Sequence, residues 1–260
     1  MHKPVDKQLV RERFARSLGS YQSQALVQQG MAAELVELLS REHPSPSFGR
    51  VLEVGSGSAA LTLEFLKRNM VGSYYANDLV GESRGPVQDV FSRFQLEDAH
   101  FIEGDIESLK DLPAGLDLVV SNATLQWLGN LEGFFFRMAS LLKPGGMLAF
   151  STFSTANMRE IATLEGVGLS YHSLLELEAL AGKDFEILLS KESLQQMEFA
   201  SPEAVLHHIR QTGVNGLLRQ AWTKSRYQQF ITAYREAYSS GTNVFLTYHP
   251  VYCCLKRRGS

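Results

Sequence analysis

The sequence predicts an α/β fold built on a doubly wound, mostly parallel sheet. Three observations carry that prediction. Short apolar runs of strand length alternate with helix-like segments between residues 50 and 153, the pattern of consecutive β-α units with right-handed crossovers. A glycine-rich turn, Gly55-Ser56-Gly57-Ser58-Ala59-Ala60, directly follows the first of those runs. The composition is that of an ordinary globular domain, 44% apolar and 20% charged over 260 residues, long enough to bury a full core.

The first 40 residues read as helical, with Leu26, Met31, Leu35, Leu38 and Leu39 on a 3.6-residue period. Pro44 and Pro46 stop that helix. Arg50-Val51-Leu52-Glu53-Val54-Gly55 is a short apolar run ending in glycine, as a buried parallel strand reads. A helix from near Ala60, a strand at Ser73–Asn77, a helix at Gly85–Phe94 and a short strand at His100–Ile102 follow. Leu116–Val120 is a strong strand leading to a helix over Leu131–Leu142, and the turn Lys143-Pro144-Gly145-Gly146 feeds a strand at Met147–Phe153. Beyond it the rhythm breaks. A helix at Leu174–Ala181 precedes one strand-like stretch from Phe185 to Phe199. Helices at about Pro202–Gln211 and Thr223–Tyr238 then separate it from a final strand, Val244–Leu255. The expected plan is one domain over 1–260: lid helices in 1–45, a ligand-binding core in 46–153, and a helical insertion in 200–243 between the last two strands.

Charge and cysteine usage narrow the function. The 25 basic and 28 acidic residues give a net charge of -3, where a dedicated nucleic-acid binder carries a basic surplus. Cys253 and Cys254 are adjacent in a strand-like run and should point to opposite faces, forming neither a disulfide framework nor a metal site. No stretch approaches the roughly 18 apolar residues of a membrane helix, and the N-terminus lacks a signal-peptide pattern. A cytoplasmic monomer with no metal, no nucleic-acid partner and no membrane partner is expected.

In an open α/β sheet, ligands bind beyond the carboxyl ends of the strands, where strand order reverses. Gly55-x-Gly57-x-x-Ala60 taken alone also fits a dinucleotide fingerprint. Glu53, two residues before the first glycine, resembles the opening motif of class I S-adenosylmethionine (SAM) methyltransferases; Ala59 departs from it, standing where a third glycine is usual. That resemblance implies a Rossmann-like fold with a seven-stranded, mostly parallel sheet, and SAM as cofactor with S-adenosylhomocysteine (SAH) as product. It also implies a role for each strand end. Glu53 would lie near the ligand's amino group and Gly55 and Gly57 under its amino-acid and ribose portions. Asp78, followed by Leu79, would accept from two ribose hydroxyls. Asp105 would take the adenine amine while Ile106 packs on the ring. Asn122, Gln126 and Trp127 would face the methionine half. A nicotinamide oxidoreductase would explain the first turn and Asp78 but not the other two motifs. A module that binds SAM without turnover is the reading from another class, and Ala59 is its only hint.

The acceptor clues lie outside that core. Arg13-Phe14-Ala15-Arg16-Ser17-Leu18-Gly19-Ser20-Tyr21-Gln22-Ser23-Gln24-Ala25 with Gln28 beyond, Gln211-Thr212-Gly213-Val214-Asn215-Gly216 and Leu246-Thr247-Tyr248-His249-Pro250-Val251-Tyr252, together with Gly104-Asp105-Ile106-Glu107 and Leu125-Gln126-Trp127, resemble the malonyl-[acyl-carrier protein] O-methyltransferase family of biotin synthesis, from about Phe14 to Tyr252. The resemblance implies methylation of the free carboxylate of a malonyl thioester, on carrier protein or coenzyme A. Another carboxylate or a hydroxyl acceptor is the alternative. Arg16, Tyr21, Tyr248 and His249 are the candidates for the acceptor site. Arg210, Arg219, Lys224 and Arg226 form a loosely basic run suited to an acidic carrier protein.

Overall fold

The structure is a computed structural model that describes residues 6–166, 168–211 and 222–259, with the side chains of 17–24 outside the description. The chain opens with helices α1 (Lys7–Gln24) and α2 (Leu26–Glu42). Strand β1 (Ser47–Val54), α3 (Ala60–Leu66), β2 (Met70–Asp78), α4 (Arg84–Arg93) and β3 (Ala99–Glu103) follow. Next come β4 (Leu116–Asn122), α5 (Leu131–Leu141), β5 (Leu142–Phe153), α6 (Arg159–Glu165) and α7 (Leu174–Ala181). The tail holds β6 (Phe185–Glu192), β7 (Gln195–Phe199), α8 (Pro202–Gln211), α9 (Lys224–Ala237), the two-residue β8 (Ser239–Ser240), β9 (Asn243–Tyr248) and β10 (Pro250–Arg257).

The main sheet has seven strands in the order β3-β2-β1-β4-β5-β10-β6. Strands β1 to β5 are parallel, and β10 runs antiparallel to both its neighbours. Alternate residues of each central strand enter opposite cores, as the period of two requires. Val51, Leu118, Val120, Ala149 and Cys254 face one core, and Leu52, Val119, Leu148, Phe150 and Cys253 face the other. The two cysteines therefore point apart, each buried as a small apolar residue. Strand order reverses at β1, which pairs with β2 on one side and β4 on the other, so the crevice above β1 and β4 is the expected ligand position.

Two expectations are corrected in the tail. The stretch Phe185–Phe199 is two strands parted at Ser193 and Leu194, and Val244–Leu255 is two strands parted at His249. Strands β6 and β10 stay in the main sheet, whereas β7, β9 and β8 form a separate three-stranded antiparallel sheet. Pro250 begins β10 and lacks an N–H for a continuous ladder, which suits it to a sheet change. The N-terminal segment divides as well. Helix α1 packs on α8 and on the turn Gly81–Ser83, over the strand crests. Helix α2 is a core helix, burying Met31, Ala32, Leu35, Val36, Leu38 and Leu39 against the sheet, because its apolar stripe is too wide for a loose cover.

Candidate functional site

The carboxyl ends of β1, β2, β3 and β4 converge on a cavity holding about 1040 Å³ of space between atoms, part of it open to solvent. That is the size of a site for a nucleoside-sized ligand. Val54–Ser58, Asn77–Val80, Gly104–Ile106 and Asn122–Thr124 form its floor, with Trp127. Lys7, Val10 and Phe14 of α1 and Gln28 of α2 reach it from the opposite side.

The floor is shaped by backbone. Gly55 has φ +76°, and a Cβ there would sit 2.1 Å from Thr124 Oγ1, so only glycine fits. Gly57 has φ +49° and nothing within 4 Å of the place of its Cβ, leaving room for a ligand to lie on the turn. Ala59 takes φ +63° and starts α3, so the alanine keeps the left-handed geometry of the usual glycine at a cost of about 1 kcal/mol.

Asp78 is 8% exposed. Its Oδ2 accepts from Gly57 N at 2.7 Å and its Oδ1 from Val80 N at 2.8 Å. Burial raises its pKa, and those two bonds work against the rise. A carboxylate offers about four acceptor positions, so each oxygen can still take a ligand hydroxyl. Asp105 accepts from Lys7 Nζ at 2.5 and 2.7 Å and from Glu107 N at 3.0 Å. Lys7 also bonds Glu107, which in turn accepts from Gly129 N and Asn130 N. Burial disfavours the Lys7 charge, but the two carboxylates outweigh it and hold its pKa above the ordinary lysine value. Leu79 and the buried Ile106 supply apolar wall. Asn122 donates from Nδ2 to Gln28 O at 3.0 Å and accepts from Ser151 Oγ at 2.5 Å, and Trp127 meets Phe14 edge to face at 5.6 Å.

Two residues predicted at the cofactor do not line this cavity. Glu53 is 0% exposed beneath the turn, where its Oε2 accepts from Thr62 Oγ1 at 2.6 Å and Tyr74 OH at 2.7 Å. Its side chain alternates inward from the strand, so it braces the turn from below. Burial pushes its pKa up to about 7 against those bonds. Gln126 is tied to Ala123 O at 2.6 Å and Thr152 Oγ1 at 2.9 Å and lines a smaller pocket of about 320 Å³ instead. That pocket shares Phe14, Gln28, Ala123 and Trp127 with the large cavity and is completed by Phe153, Asn157, Met158, Leu169 and Tyr171.

The acceptor candidates are placed elsewhere. Arg16 has its side chain 80% exposed, with Glu12 at 3.9 Å, since it falls on the outer face of α1. Tyr21 is on α1, with its side chain outside the described residues. Tyr248 is buried against Phe153, its hydroxyl 2.7 Å from His208 Nε2. His249 Nδ1 accepts from Ala156 N at 3.2 Å, and its Nε2 lies 3.2 Å from Glu192. Both hold the sheet change together and line neither cavity. Sequence reasoning missed Lys7, Asn157 and Tyr171 as wall residues. It had a signal for Gln28, a polar residue on the same helical stripe as Met31, Leu35 and Leu39. Among the described residues no cluster of three or more His, Cys, Asp or Glu is placed to hold a metal, and no helix is long and apolar enough to cross a membrane.

Residues 24–221 match the methyltransferase-domain family. The chain is 50% identical over 253 residues to the malonyl-[acyl-carrier protein] O-methyltransferase of Prosthecochloris aestuarii, covering 97% of this chain and 94% of that protein. It is 50% identical over 254 residues to the protein of the same name in Chlorobium luteolum, covering 98% and 97%. Among solved structures it is similar to the YcgJ protein of Bacillus subtilis, with TM-score 0.62 and 14% identity over 87% of this chain and 99% of that one. It is also similar to phosphoethanolamine N-methyltransferase 2 of Haemonchus contortus, solved with SAM, with TM-score 0.54 and 16% identity over 87% and 52%. At those identities the last two likenesses show the fold.

Proposed function

The chain belongs to the methyltransferase-domain family, and from that premise we propose that it is a SAM-dependent O-methyltransferase acting on the free carboxylate of malonyl-[acyl-carrier protein], in biotin synthesis. The observation that carries this reading is half-identity, over nearly the full length of both chains, with relatives bearing that name. The cavity at the four strand crests supports the cofactor half of it.

The residues present fit SAM. Asp78 retains acceptor capacity for two ribose hydroxyls, and Gly57 leaves open space above the turn. Asp105 and Ile106 pair a carboxylate for the adenine amine with an apolar face for its ring. Asn122 and Trp127 then border the methionine half. When bound, the cofactor supplies an electrophilic methyl group on a positively charged sulfur. A malonyl carboxylate is ionised near neutral pH, so the protein needs no general base to make the nucleophile. Its work is alignment and exclusion of water, and α1 serves both by setting Lys7, Val10 and Phe14 over the cavity. Glu53 acts through the turn rather than on the ligand. The only hint of a non-catalytic module, Ala59, loses force because that residue keeps the turn's left-handed geometry.

The reading is of a cytoplasmic monomer whose acidic carrier-protein partner docks on the inserted helices. There Arg210 and Lys224 are exposed, Arg226 is neutralised by Glu165 at 2.5 Å, and Arg219 lies outside the described residues. Charge reversal at Lys224 and Arg219 is expected to raise KM for malonyl-carrier protein and spare malonyl-CoA; equal effects on both would remove the docking surface. The reaction itself is tested by incubating the protein with methyl-labelled SAM and malonyl, succinyl and acetyl thioesters. Label is expected on the malonyl compound. Label on the acetyl thioester, or on none, would overturn the acceptor.

A further inference from the structure

Gln28 is 4% exposed and lines both the large cavity and the smaller pocket beside it. Its backbone carbonyl is held by Asn122, yet no hydrogen bond engages its side-chain amide among the described residues. A side-chain amide at the junction of two cavities offers both a donor and an acceptor to whatever lies there. On the wall of the smaller pocket, the Tyr171 oxygen accepts from Asn157 Nδ2 at 2.9 Å, and Asn157 Oδ1 accepts from His249 N at 3.3 Å. With that acceptor position filled, the phenol has its proton left to give. Burial pushes the Tyr171 pKa up to about 12, so the proton stays in place near neutral pH. None of the described residues lining the smaller pocket is charged.

We propose that the Gln28 amide and the Tyr171 hydroxyl hold the acceptor carboxylate as neutral donors, leaving the cofactor's positive sulfur as its charge partner. This rests on the malonyl carboxylate and SAM reading above and names the acceptor subsite in place of Arg16, Tyr248 and His249. Neutral donors orient the carboxylate without the extra ground-state stabilisation that a fixed cation would give the anion and lose as its charge is spent. Once the methyl has moved, ester and thioether are both neutral, and the attraction that assembled the complex is gone. The carboxylate's affinity therefore depends on the charge of the bound nucleoside.

Calorimetric titration with malonyl-pantetheine tests this. The wild-type protein loaded with sinefungin, which carries an ammonium near the site of the sulfonium, should bind it at least roughly tenfold more tightly than the protein loaded with neutral SAH. Equal affinities would mean that a protein cation holds the carboxylate and would overturn the proposal. Gln28→Leu and Tyr171→Phe should each raise KM for the malonyl thioester by roughly tenfold, the loss of one hydrogen bond to a charged group; Tyr171 lines only the smaller pocket, so in Tyr171→Phe the SAH dissociation constant should stay within about twofold. Gln28→Glu is isosteric and should raise KM further by like-charge repulsion. Unchanged KM in Gln28→Glu and Tyr171→Phe would equally sink the subsite. Failure of wild-type protein to label any malonyl thioester would instead sink the acceptor reading on which it stands.

Discussion

The parallel half of the sheet and the antiparallel tail bury polar groups to opposite ends. At the crests of β1 to β4, Asp78 and Asp105 are held by backbone N–H groups and by Lys7, yet each still borders open space. In the tail, Glu160 accepts from Thr247 N at 3.0 Å and Thr247 Oγ1 at 2.5 Å, Tyr248 meets His208, and Tyr234 donates to Phe245 O at 2.8 Å. Those pairs close on one another and line neither of the two cavities described above. Burial of a polar side chain therefore marks a site only where capacity for a further bond remains and there is room for the partner. In the tail the same chemistry supplies cohesion, joining α6 and α8 to β9.

That contrast can be broken by substitutions on each side, taken from the largest expected effect down. Glu53, beneath the crest, has a pKa raised from 4.5 to about 7. Its carboxyl contributes stability that is fully present below pH 4.5 and lost as pH rises through 7, because the unfolded chain releases that proton first. Denaturant unfolding should show this decline, about 3 kcal/mol at most, in the wild type and not in Glu53→Gln. A parallel pH dependence in both would refute the titration. Asp78→Ala should weaken SAH binding by roughly 1–3 kcal/mol, the cost of leaving buried partners unpaired; an unchanged dissociation constant would misplace the ribose. Tyr248→Phe should cost about 1 kcal/mol of unfolding free energy, one net hydrogen bond, while SAH affinity stays the same. A large loss of affinity there would dissolve the distinction between the two regions. Ala59→Gly should change stability by less than about 1 kcal/mol, since relief of left-handed strain is offset by a more mobile unfolded chain; thermal unfolding measures it.

The same division governs what could be read in advance. Strand β1, the Gly55 turn, Asp78 and the strand β4 were legible because their signals are local: an apolar run, a turn needing positive φ, an acid at a strand end. The split at His249 was not, because Val244–Leu255 carries strand-forming residues throughout and only pairing with distant β7 and β5 decides which sheet each half joins. Glu53 matched a motif by position, but the strand's alternation turned its side chain away from the cavity. The residue types of Arg16 and Tyr248 suit an acceptor carboxylate, but the sequence does not say which face carries them: Arg16 turns outward from α1 and Tyr248 inward to His208. Gln28 broke an apolar helical stripe, a sign of buried polarity that needed the cavity beside it to acquire meaning.

The central claim is that the crests of β1 to β4 hold the nucleoside cofactor. A crystal structure of the protein with SAH tests it directly. The ribose hydroxyls are expected on Asp78, the adenine between Asp105 and Ile106, and the sulfur toward Phe14 and Trp127. Density for the nucleoside at any other surface, or none at an SAH concentration well above its dissociation constant in solution, would contradict it.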